Sequence, residues 1–307
     1  MEKPKIYDVI VIGGGPAGYT AALYCTRAGL ETLVIEKFSA GGQMLLTSQI
    51  DNYPGFDEGI DGVFLAEKMK NSAERFGAST LYSEVLSTDL KASPKSVETD
   101  SGTLLAKAVV VATGAQPRHL GIDGEDELVG RGLGYCAHCD GMLFRQKTVA
   151  VVGGGNSAAA DALLLSKICK KVYVIHRRDN LRAEKIYHEP LKQAKNVEFK
   201  YSCEVAQFLA EKRVNGVVLK NKNGQTEELL LDGIFISIGR SPVTELFDRQ
   251  LALDENGYII AGEDTKTSVD GVYAVGDVRT KAVRQIVTAT ADGASACHFV
   301  QEYIAQL

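Results

Sequence analysis

The stretch that decides the fold is IYDVIVIGGGPAG, residues 6–18. Its first half is rich in β-branched residues and predicts a strand, and Gly13, Gly15 and Gly18 follow at the spacing G-x-G-x-x-G. In this motif the first glycine permits a tight turn, the second lets a pyrophosphate approach the backbone, and the third allows close helix–strand packing. Residues 19–30, YTAALYCTRAGL, favour a helix whose N-terminus would face the phosphates. The stretch therefore predicts a dinucleotide-binding βαβ unit.

The next predicted strand, ETLVIEK (residues 31–37), carries an acidic residue near its end. Glu36 lies 18 residues after Gly18, which is the usual position of the carboxylate that binds a ribose diol. A carboxylate there would repel a 2′-phosphate. The first site should therefore hold FAD or NAD(H) and reject NADPH.

The same pattern occurs a second time along the chain. Residues 148–158 read TVAVVGGGNSA and place Gly153, Gly155 and Ala158 at the same spacing. A segment rich in helix formers follows, and then a second apolar strand, KKVYVIHRRD, over residues 170–179. The repeat predicts a second dinucleotide-binding unit.

The second unit differs at the ribose position. His176 lies 18 residues after Ala158, and Arg177, Arg178 and Arg182 follow it. Arginine pairs bidentately with phosphate oxygens, so these cations favour the 2′-phosphate of NADPH. A solvated run of charges at a helix start is the alternative. Two sites of opposite charge imply a flavin at one and a nicotinamide at the other, and hence electron transfer.

Two strand exits divide the chain. Residues 108–118 (AVVVATGAQPR) and 233–243 (GIFISIGRSPV) each end an apolar strand at glycine and proline. The C-terminal part supplies one more strand and a closing helix, which the first domain needs to complete its sheet and cover. We infer an α/β chain of two Rossmann-like domains, with the NADPH-binding domain (118–244) inserted into the FAD-binding domain (1–117 and 245–307).

Composition excludes several other classes of protein. The chain has 307 residues, a net charge of −5 and no lysine- or arginine-rich tract, so nothing indicates a nucleic-acid or membrane-surface partner. No apolar run approaches the roughly 18 residues of a membrane span. The N-terminus lacks the features of a signal peptide. We expect a soluble, cytoplasmic protein.

Of the six cysteines, only Cys136 and Cys139 are close in sequence, within CAHCD. In a reducing compartment such a pair is more often redox-active or metal-binding than a structural disulfide. A structural zinc site usually needs four ligands, and haem attachment would need histidine where Asp140 stands. We therefore favour a redox pair and expect no metal. The other four are interpreted as small buried apolar residues: Cys25, Cys169, Cys203 and Cys297.

Taken together, the motifs resemble those of the low-molecular-weight thioredoxin reductases. The match runs in the right order over essentially the whole chain. Its motifs are GGGPAG (13–18), GGQ (41–43), ATG (112–114), CAHCD (136–140), GGGNSA (153–158), HRRDNLR (176–182), GVYAVGDV (271–278) and RQI (284–286).

The resemblance implies two sets of cofactor contacts. Those to FAD fall on Gly13, Gly15, Pro16, Ala17, Gly18, Glu36, Lys37, Phe38, Ser39, Ala40, Gly41, Gly42, Gln43, Thr47, Asn52, Asp277, Arg284, Gln285 and Ile286. Those to NADPH fall on Gly155, Asn156, Ser157, His176, Arg177, Arg178 and Arg182. The family is usually homodimeric, with dimer contacts on the flavin domains.

The resemblance also implies the chemistry of the pair. Cys139 would face the flavin, and Cys136 would attack the disulfide of thioredoxin or a thioredoxin-like protein. Asp140 would move the accompanying protons as a general acid or base. Because the pair and NADPH share one domain, we expect a domain rotation about residues 114–117 and 239–242 to present each to the flavin in turn.

Three alternatives stay open. The chain could reduce another dithiol protein, such as a glutaredoxin-like carrier, or take electrons from ferredoxin, although the basic cluster argues against the second. It could also be an FAD- and NADPH-binding redox sensor without turnover. Two departures from the family concern the redox motif, and the second of them bears on the partner. His138 stands where threonine is frequent, and Met142 and Leu143 stand where aromatic residues often seat thioredoxin.

Overall fold

A computed structural model describes residues 5–47 and 49–307. The first four residues of the predicted FAD domain, and residue 48, lie outside the described residues. The strands are β1 (Ile6–Ile12), β2 (Thr32–Glu36), β3 (Ser79–Tyr82), β4 (Val85–Asp89), β5 (Lys95–Thr99), β6 (Gly102–Val111), β7 (Ala115–Pro117), β8 (Leu133–Gly134), β9 (Thr148–Val152), β10 (Lys171–His176), β11 (Val197–Tyr201), β12 (Cys203–Ala210), β13 (Val214–Asn221), β14 (Thr226–Leu230), β15 (Gly233–Ile236), β16 (Arg240–Pro242) and β17 (Val272–Ala274).

The part of the chain that the structure describes also contains seven α-helices and four short 3-10 turns. The α-helices are α1 (Pro16–Arg27), α2 (Gly62–Glu74), α3 (Glu125–Leu128), α4 (Ala137–Asp140), α5 (Asn156–Ser166), α6 (Lys185–Gln193) and α7 (Ile286–Ile304). The 3-10 turns are Gly42–Leu46, Gly141–Phe144, Glu245–Phe247 and Gly276–Val278.

The chain folds into two compact units. The first runs up to Gln116 and resumes at Ser241, and the second is Pro117–Arg240. The connecting strands β7 and β16 pair with each other. The second unit is therefore an insertion into the first, which confirms the predicted fold class. The assignment of one dinucleotide to each unit stays a prediction.

A largely parallel sheet forms the centre of the first unit. Its strand order is β3-β2-β1-β6-β5-β4, and β17 pairs with the C-terminal half of β6. Val9, Ile10 and Val11 of β1 have no exposed surface, as expected for a parallel strand that is covered on both faces. The antiparallel pair β4 and β5 extends the sheet beyond β6.

Helix α7 confirms the predicted closing helix. It packs along α1, and Gly293 marks their close approach, because a Cβ atom there would collide with the backbone oxygen of Ala17. A capping box formed by Gln285 and Thr288 starts the helix. The helix thereby covers one face of the sheet.

The second unit repeats the parallel arrangement on a smaller scale. Its five-stranded sheet has the order β11-β10-β9-β15-β8, and every pairing in it is parallel. The antiparallel sheet β12-β13-β14 packs against one face through a shared apolar cluster. Helix α5 joins β9 to β10, as the second glycine motif predicts. None of the described helices is long and apolar enough to cross a bilayer.

Candidate active site

The first glycine loop has the shape that a pyrophosphate requires. Gly13 has φ +109°, a value that favours glycine, and a Cβ atom there would collide with the backbone oxygen of Ala112. Gly15 differs, since no described atom lies within 4 Å of the position that its Cβ would take. This open space lies directly before Pro16, the first residue of α1. The loop therefore leaves room for a phosphate at a helix N-terminus.

Glu36 is held beside this loop by backbone hydrogen bonds. Its Oε2 accepts from the backbone nitrogen of Gly14 at 2.7 Å, and its Oε1 accepts from Lys37 N at 2.9 Å. Phe38 N donates to the same oxygen at 3.3 Å. The Lys37 ammonium pairs with Glu84 at 2.6 Å. The carboxylate therefore has a fixed position at the end of β2, where a ribose diol would lie.

Other predicted FAD contacts gather around the same loop. Gly41 N donates to Gly14 O at 2.7 Å, and a Cβ on Gly42 would meet only the Cα of Gly15, at 3.6 Å. The side chain of Asn52 donates to Gln285 Oε1 at 3.0 Å, which joins this region to the start of α7. The structure thus brings together predicted FAD contacts from distant parts of the chain.

A buried ion network that the sequence analysis did not predict supports this region. Asp292 of α7 accepts hydrogen bonds from Gly276 N at 2.8 Å, from Arg279 at 2.7 and 2.8 Å, and from Lys281 Nζ at 2.8 Å. Burial alone would raise the pKa of Asp292, but the hydrogen bonds from Arg279 and Lys281 outweigh it and lower the pKa. The network fixes the turn that contains Asp277, a predicted FAD contact, against α7.

The second glycine loop repeats this geometry in the other unit. Gly153 has φ +150° and a Cβ atom there would collide with the backbone oxygen of Ser237, whereas no described atom lies within 4 Å of a Cβ on Gly155. The Asn156 side chain bonds Glu184 at 2.7 and 2.8 Å. Arg182 N donates to the carbonyl of Gly154, the middle glycine of the loop, at 2.6 Å. The arginine segment is therefore held beside the loop.

His176 takes the place that Glu36 has in the first unit. Its ring lies against Gly154 so closely that a Cβ there would overlap it. Nε2 is buried and has no hydrogen-bond partner among the residues that the structure describes. Burial lowers the pKa of His176, and the charges of the three arginines Arg182, Arg178 and Arg177 lower it further. A phosphate at this position would supply a hydrogen-bond partner and a counter-charge, so the residues fit the 2′-phosphate of NADPH.

The cysteine pair lies at the start of α4 in the second unit. Cys136 and Cys139 form a disulfide with a Cα–Cα distance of 5.3 Å. Both cysteines are half-buried, and Cys136 Sγ accepts a hydrogen bond from Cys139 N at 3.1 Å. Ala137 between them is buried in the apolar cluster that includes Leu165 of α5. The pair therefore rests on the same helix that begins at the second glycine loop.

The glycines around the pair have a packing role within this unit. Gly132 has φ +102° and faces Val214, with 2.9 Å between its Cβ position and the valine Cβ. A Cβ on Gly141 would lie 3.1 Å from Leu165. We predict that these glycines also let the loop pass close to the flat flavin ring.

Asp140 follows the pair directly and has an unusual acidity. A Cβ on Gly134 would lie 3.2 Å from its Oδ2, so the absence of a side chain there leaves room for the carboxylate. Burial raises the pKa of Asp140 from its ordinary value of 3.8 to about 6. A group with this pKa can both accept and donate a proton near neutral pH. The carboxyl that directly follows the cysteine pair in sequence is therefore suited to proton transfer.

A hydrogen-bond cluster that the sequence analysis did not predict holds the segment before the pair. Glu125 is buried and accepts from Leu120 N at 3.0 Å, from Gly121 N at 2.9 Å and from Tyr135 Oη at 2.9 Å. His119 Nδ1 lies 3.1 Å from the same tyrosine oxygen. Tyr135 immediately precedes the first cysteine, so this cluster fixes the entry to the redox motif.

The surface beside the pair is apolar. Met142 and Leu143 are 56% and 52% exposed, and His138 is also exposed.

Over residues 5–47 and 49–307, no group of three or more histidine, cysteine, aspartate or glutamate side chains is arranged to hold a metal ion.

The comparisons with known proteins agree with this geometry. The family model for pyridine nucleotide-disulphide oxidoreductases matches residues 7–293. The chain belongs to this family. The thioredoxin reductase of Streptomyces clavuligerus is 44% identical over 306 residues, covering 98% of this chain and 95% of that protein. The thioredoxin reductase of Listeria monocytogenes is 43% identical, covering 100% of this chain and 96% of that protein.

A solved structure leads to the same conclusion. The crystal structure of thioredoxin reductase from Streptococcus pyogenes has a TM-score of 0.92 and 41% identity, covering 99% of this chain and all of that one. As a pyridine nucleotide-disulphide oxidoreductase, the chain is an enzyme that uses FAD and NADPH. The residues that bind each cofactor stay a prediction.

Proposed function

We propose that the chain transfers electrons from NADPH to the disulfide of thioredoxin through FAD and the Cys136–Cys139 pair. The observation that carries this proposal is the disulfide itself. It is half-buried at the start of α4, beside a carboxyl with a raised pKa, in the unit that also contains the basic cluster. The relatives named thioredoxin reductase, which match over the whole chain, support the choice of substrate.

The two cofactors would bind to separate units. The first glycine loop, Glu36 and the start of α7 would hold FAD in the domain predicted as 1–117 and 245–307. The second loop, His176 and the arginines would hold NADPH in the domain predicted as 118–244. When bound, FAD supplies a two-electron carrier between NADPH and the disulfide.

The chain's own groups would carry out the exchange with thioredoxin. The Cys136 thiolate would attack the substrate disulfide, form a mixed disulfide and release one substrate thiolate. Cys139 would then attack the Cys136 sulfur, release the second substrate thiolate and restore the Cys136–Cys139 bond. The hydrogen bond from Cys139 N to Cys136 Sγ, at 3.1 Å, would favour the thiolate on the attacking cysteine. Asp140 would exchange the two protons that accompany the two electrons.

The location of these groups supports a change in domain arrangement during turnover. The pair and the NADPH residues belong to one unit and the proposed flavin residues to the other. We propose that a rotation about residues 114–117 and 239–242 presents each to the flavin in turn. Gly114 and Gly239 have φ values of +73° and +107°, so glycine occupies both crossings where the backbone conformation requires it.

We also propose that the chain forms a homodimer in the cytoplasm and has no nucleic-acid or membrane partner.

A reductase of another dithiol protein is the second candidate. Exposed Met142 and Leu143 beside the pair support it, because the partner would meet flexible apolar side chains instead of the aromatic ones frequent in the family. The ferredoxin-linked relative is disfavoured by the arginines beside the second loop. The redox-sensor alternative predicts a single reduction without turnover.

The deciding experiment measures NADPH oxidation by the flavin-loaded protein, with oxidised thioredoxin, with an oxidised glutaredoxin-like protein, or with neither. Sustained consumption with thioredoxin is the expected result. Turnover with only the glutaredoxin-like protein would show that this protein, and not thioredoxin, is the substrate. Consumption of one equivalent of NADPH without further turnover would indicate a redox sensor. Failure of NADPH to reduce the flavin at all would overturn the proposed electron path.

A further inference from the structure

The inference concerns the interface between α1 and α7 in the first unit. Gly293 of α7 sits against α1, where a Cβ atom would collide with Ala17 O and lie 2.8 Å from Ala21 N. The two helix backbones are therefore in direct contact at this point. One helical turn further along each helix, the facing residues are Cys25 and Cys297.

These two cysteines form a buried pair. Cys25 is 0% and Cys297 is 3% exposed, and both thiols are free. Both side chains belong to the buried apolar cluster that α1 and α7 share. The exposed side chain of Gln301, one turn further along α7, donates from Nε2 to Cys297 Sγ at 3.3 Å. The chain thus contains a second close pair of cysteines, although 271 residues separate them in sequence.

The pair is chemically asymmetric. The neighbouring Cys25 thiol and the hydrogen bond from Gln301 lower the pKa of Cys297, against the effect of burial. The neighbouring Cys297 thiol and burial raise the pKa of Cys25. Cys169, which is also buried, has its pKa raised by burial to about 11. Cys297 is therefore the more acidic thiol of the pair, and Cys25 is the less acidic one.

We propose that Cys25 and Cys297 are a second oxidation site, at which hydrogen peroxide produces a buried disulfide between α1 and α7. The Cys297 thiolate attacks the peroxide, the O–O bond breaks, and sulfenic acid and hydroxide form. The Cys25 thiol then attacks the sulfenic sulfur, the S–S bond forms and water leaves. Overall, two thiols lose two electrons and two protons, and one peroxide is reduced to two water molecules. Hydrogen peroxide is small and uncharged, which suits a sulfur beneath the surface.

The disulfide would link two helices that begin at the proposed flavin site. Pro16 starts α1 and Ile286 starts α7, and both residues are among the predicted FAD contacts. A link between the helices would therefore hold these two starting points together. This consequence rests on the proposed FAD site, whereas the disulfide itself does not.

The test uses the flavin-loaded protein with Cys136 and Cys139 already oxidised. It is treated with hydrogen peroxide, denatured in the presence of a maleimide, and analysed by mass spectrometry. We expect the number of free thiols to fall from four to two, with a tryptic product that joins the peptides containing Cys25 and Cys297. The proposal would be overturned if the two lost thiols were at other cysteines. It would also be overturned if Cys297 were oxidised to sulfinic acid and no disulfide with Cys25 formed.

Variants test the direction of the reaction. Cys25→Ser should leave a sulfenic acid at Cys297 that dimedone traps, and Cys297→Ser should leave no trapped product at Cys25. Cys169→Ser is the matched control and should form the link as the unchanged chain does. Trapping at Cys25 instead would contradict the asymmetry.

The temperature at which FAD is released on heating measures the effect of the Cys25–Cys297 disulfide on the proposed flavin site. The linked protein should release FAD at a temperature several degrees higher than the reduced protein, and dithiothreitol should reverse the shift. An unchanged temperature in a fully linked sample would refute the effect on the flavin site. Loss of thioredoxin turnover would bear on the proposed function alone, because thiol counting needs no activity.

Discussion

The raised pKa of Asp140 gives a stability prediction for Asp140→Asn. The folded chain holds the Asp140 proton more tightly than the unfolded chain, with a pKa of about 6 against 3.8. Between these values the native state binds more protons, so the free energy of unfolding falls as the pH rises from about 4 to about 6. The ionised carboxyl therefore costs the native enzyme stability at every pH above this range. Asparagine has nearly the same shape and no charge, so the substitution should remove this cost.

The magnitude follows from the displacement of the pKa. A pKa shift of one unit corresponds to about 1.4 kcal/mol. The shift of the Asp140 pKa from 3.8 to about 6 would therefore lower the free energy of unfolding at pH 8 by about 3 kcal/mol, if the carboxyl were fully buried. Asp140 is only half-buried, and partial solvation reduces the figure to roughly 1–3 kcal/mol. A gain of this size corresponds to several degrees in the unfolding temperature. The enzyme would thus keep a destabilising carboxyl in order to have a proton carrier beside its cysteines.

Scanning calorimetry at pH 8 and at pH 4 would check this prediction. Asp140→Asn should unfold at a higher temperature than the unchanged chain at pH 8, and the difference should be much smaller at pH 4. The control is Asp123→Asn, an exposed aspartate of the same unit, which should have little effect at either pH. A variant that is equally stable or less stable at pH 8 would refute the argument from burial.

Three further predictions concern the cofactor, the redox pair and the buried ions. Replacing Arg177 and Arg178 by glutamine should raise the KM for NADPH about 10–100-fold, because a charged hydrogen bond contributes about 1.5–3 kcal/mol. An equal rise in the KM for NADH would contradict the assignment of these arginines to the 2′-phosphate. Cys136→Ser or Cys139→Ser should reduce thioredoxin turnover to background while NADPH still reduces the flavin, and full turnover by either variant would exclude the relay. Asp292→Asn leaves the buried cations Arg279 and Lys281 without a counter-ion, so it should lower the free energy of unfolding, measured in urea, by about 3–5 kcal/mol. A decrease well below about 1 kcal/mol would show that the network contributes little to stability.

The sequence predicted the features that local patterns encode. The two glycine motifs lie between a strand and a helix, and residues 284–304 have the apolar spacing of a helix, so these elements could be predicted without coordinates. The insertion could be inferred because the first domain needs more sheet than its first 117 residues provide. The redox pair could be predicted because its two cysteines are close in sequence.

Contacts between distant residues could not be predicted in this way. Cys25 and Cys297 were expected to be buried apolar residues, and both are buried, but their pairing depends on the packing of α1 against α7. Asp292 has the same limitation, because a polar residue in an apolar helix does not reveal which cations will reach it. The antiparallel sheet β12-β13-β14 also went unpredicted, since it lacks a motif and its place depends on the cluster that it covers.

The two glycine loops share one backbone arrangement and differ in the residue at the predicted ribose position. In both, the first glycine of the loop donates a hydrogen bond to the carbonyl of the residue before the ribose position, at 2.8 Å in one unit and 3.0 Å in the other. At that position Glu36 accepts a hydrogen bond from Gly14, whereas the ring of His176 lies against Gly154. The loops therefore have the same backbone geometry but opposite demands for charge. If FAD binds to the first unit and NADPH to the second, as proposed, the residue at this position and its neighbours would account for the choice, because a carboxylate repels a 2′-phosphate and the arginine cluster attracts it.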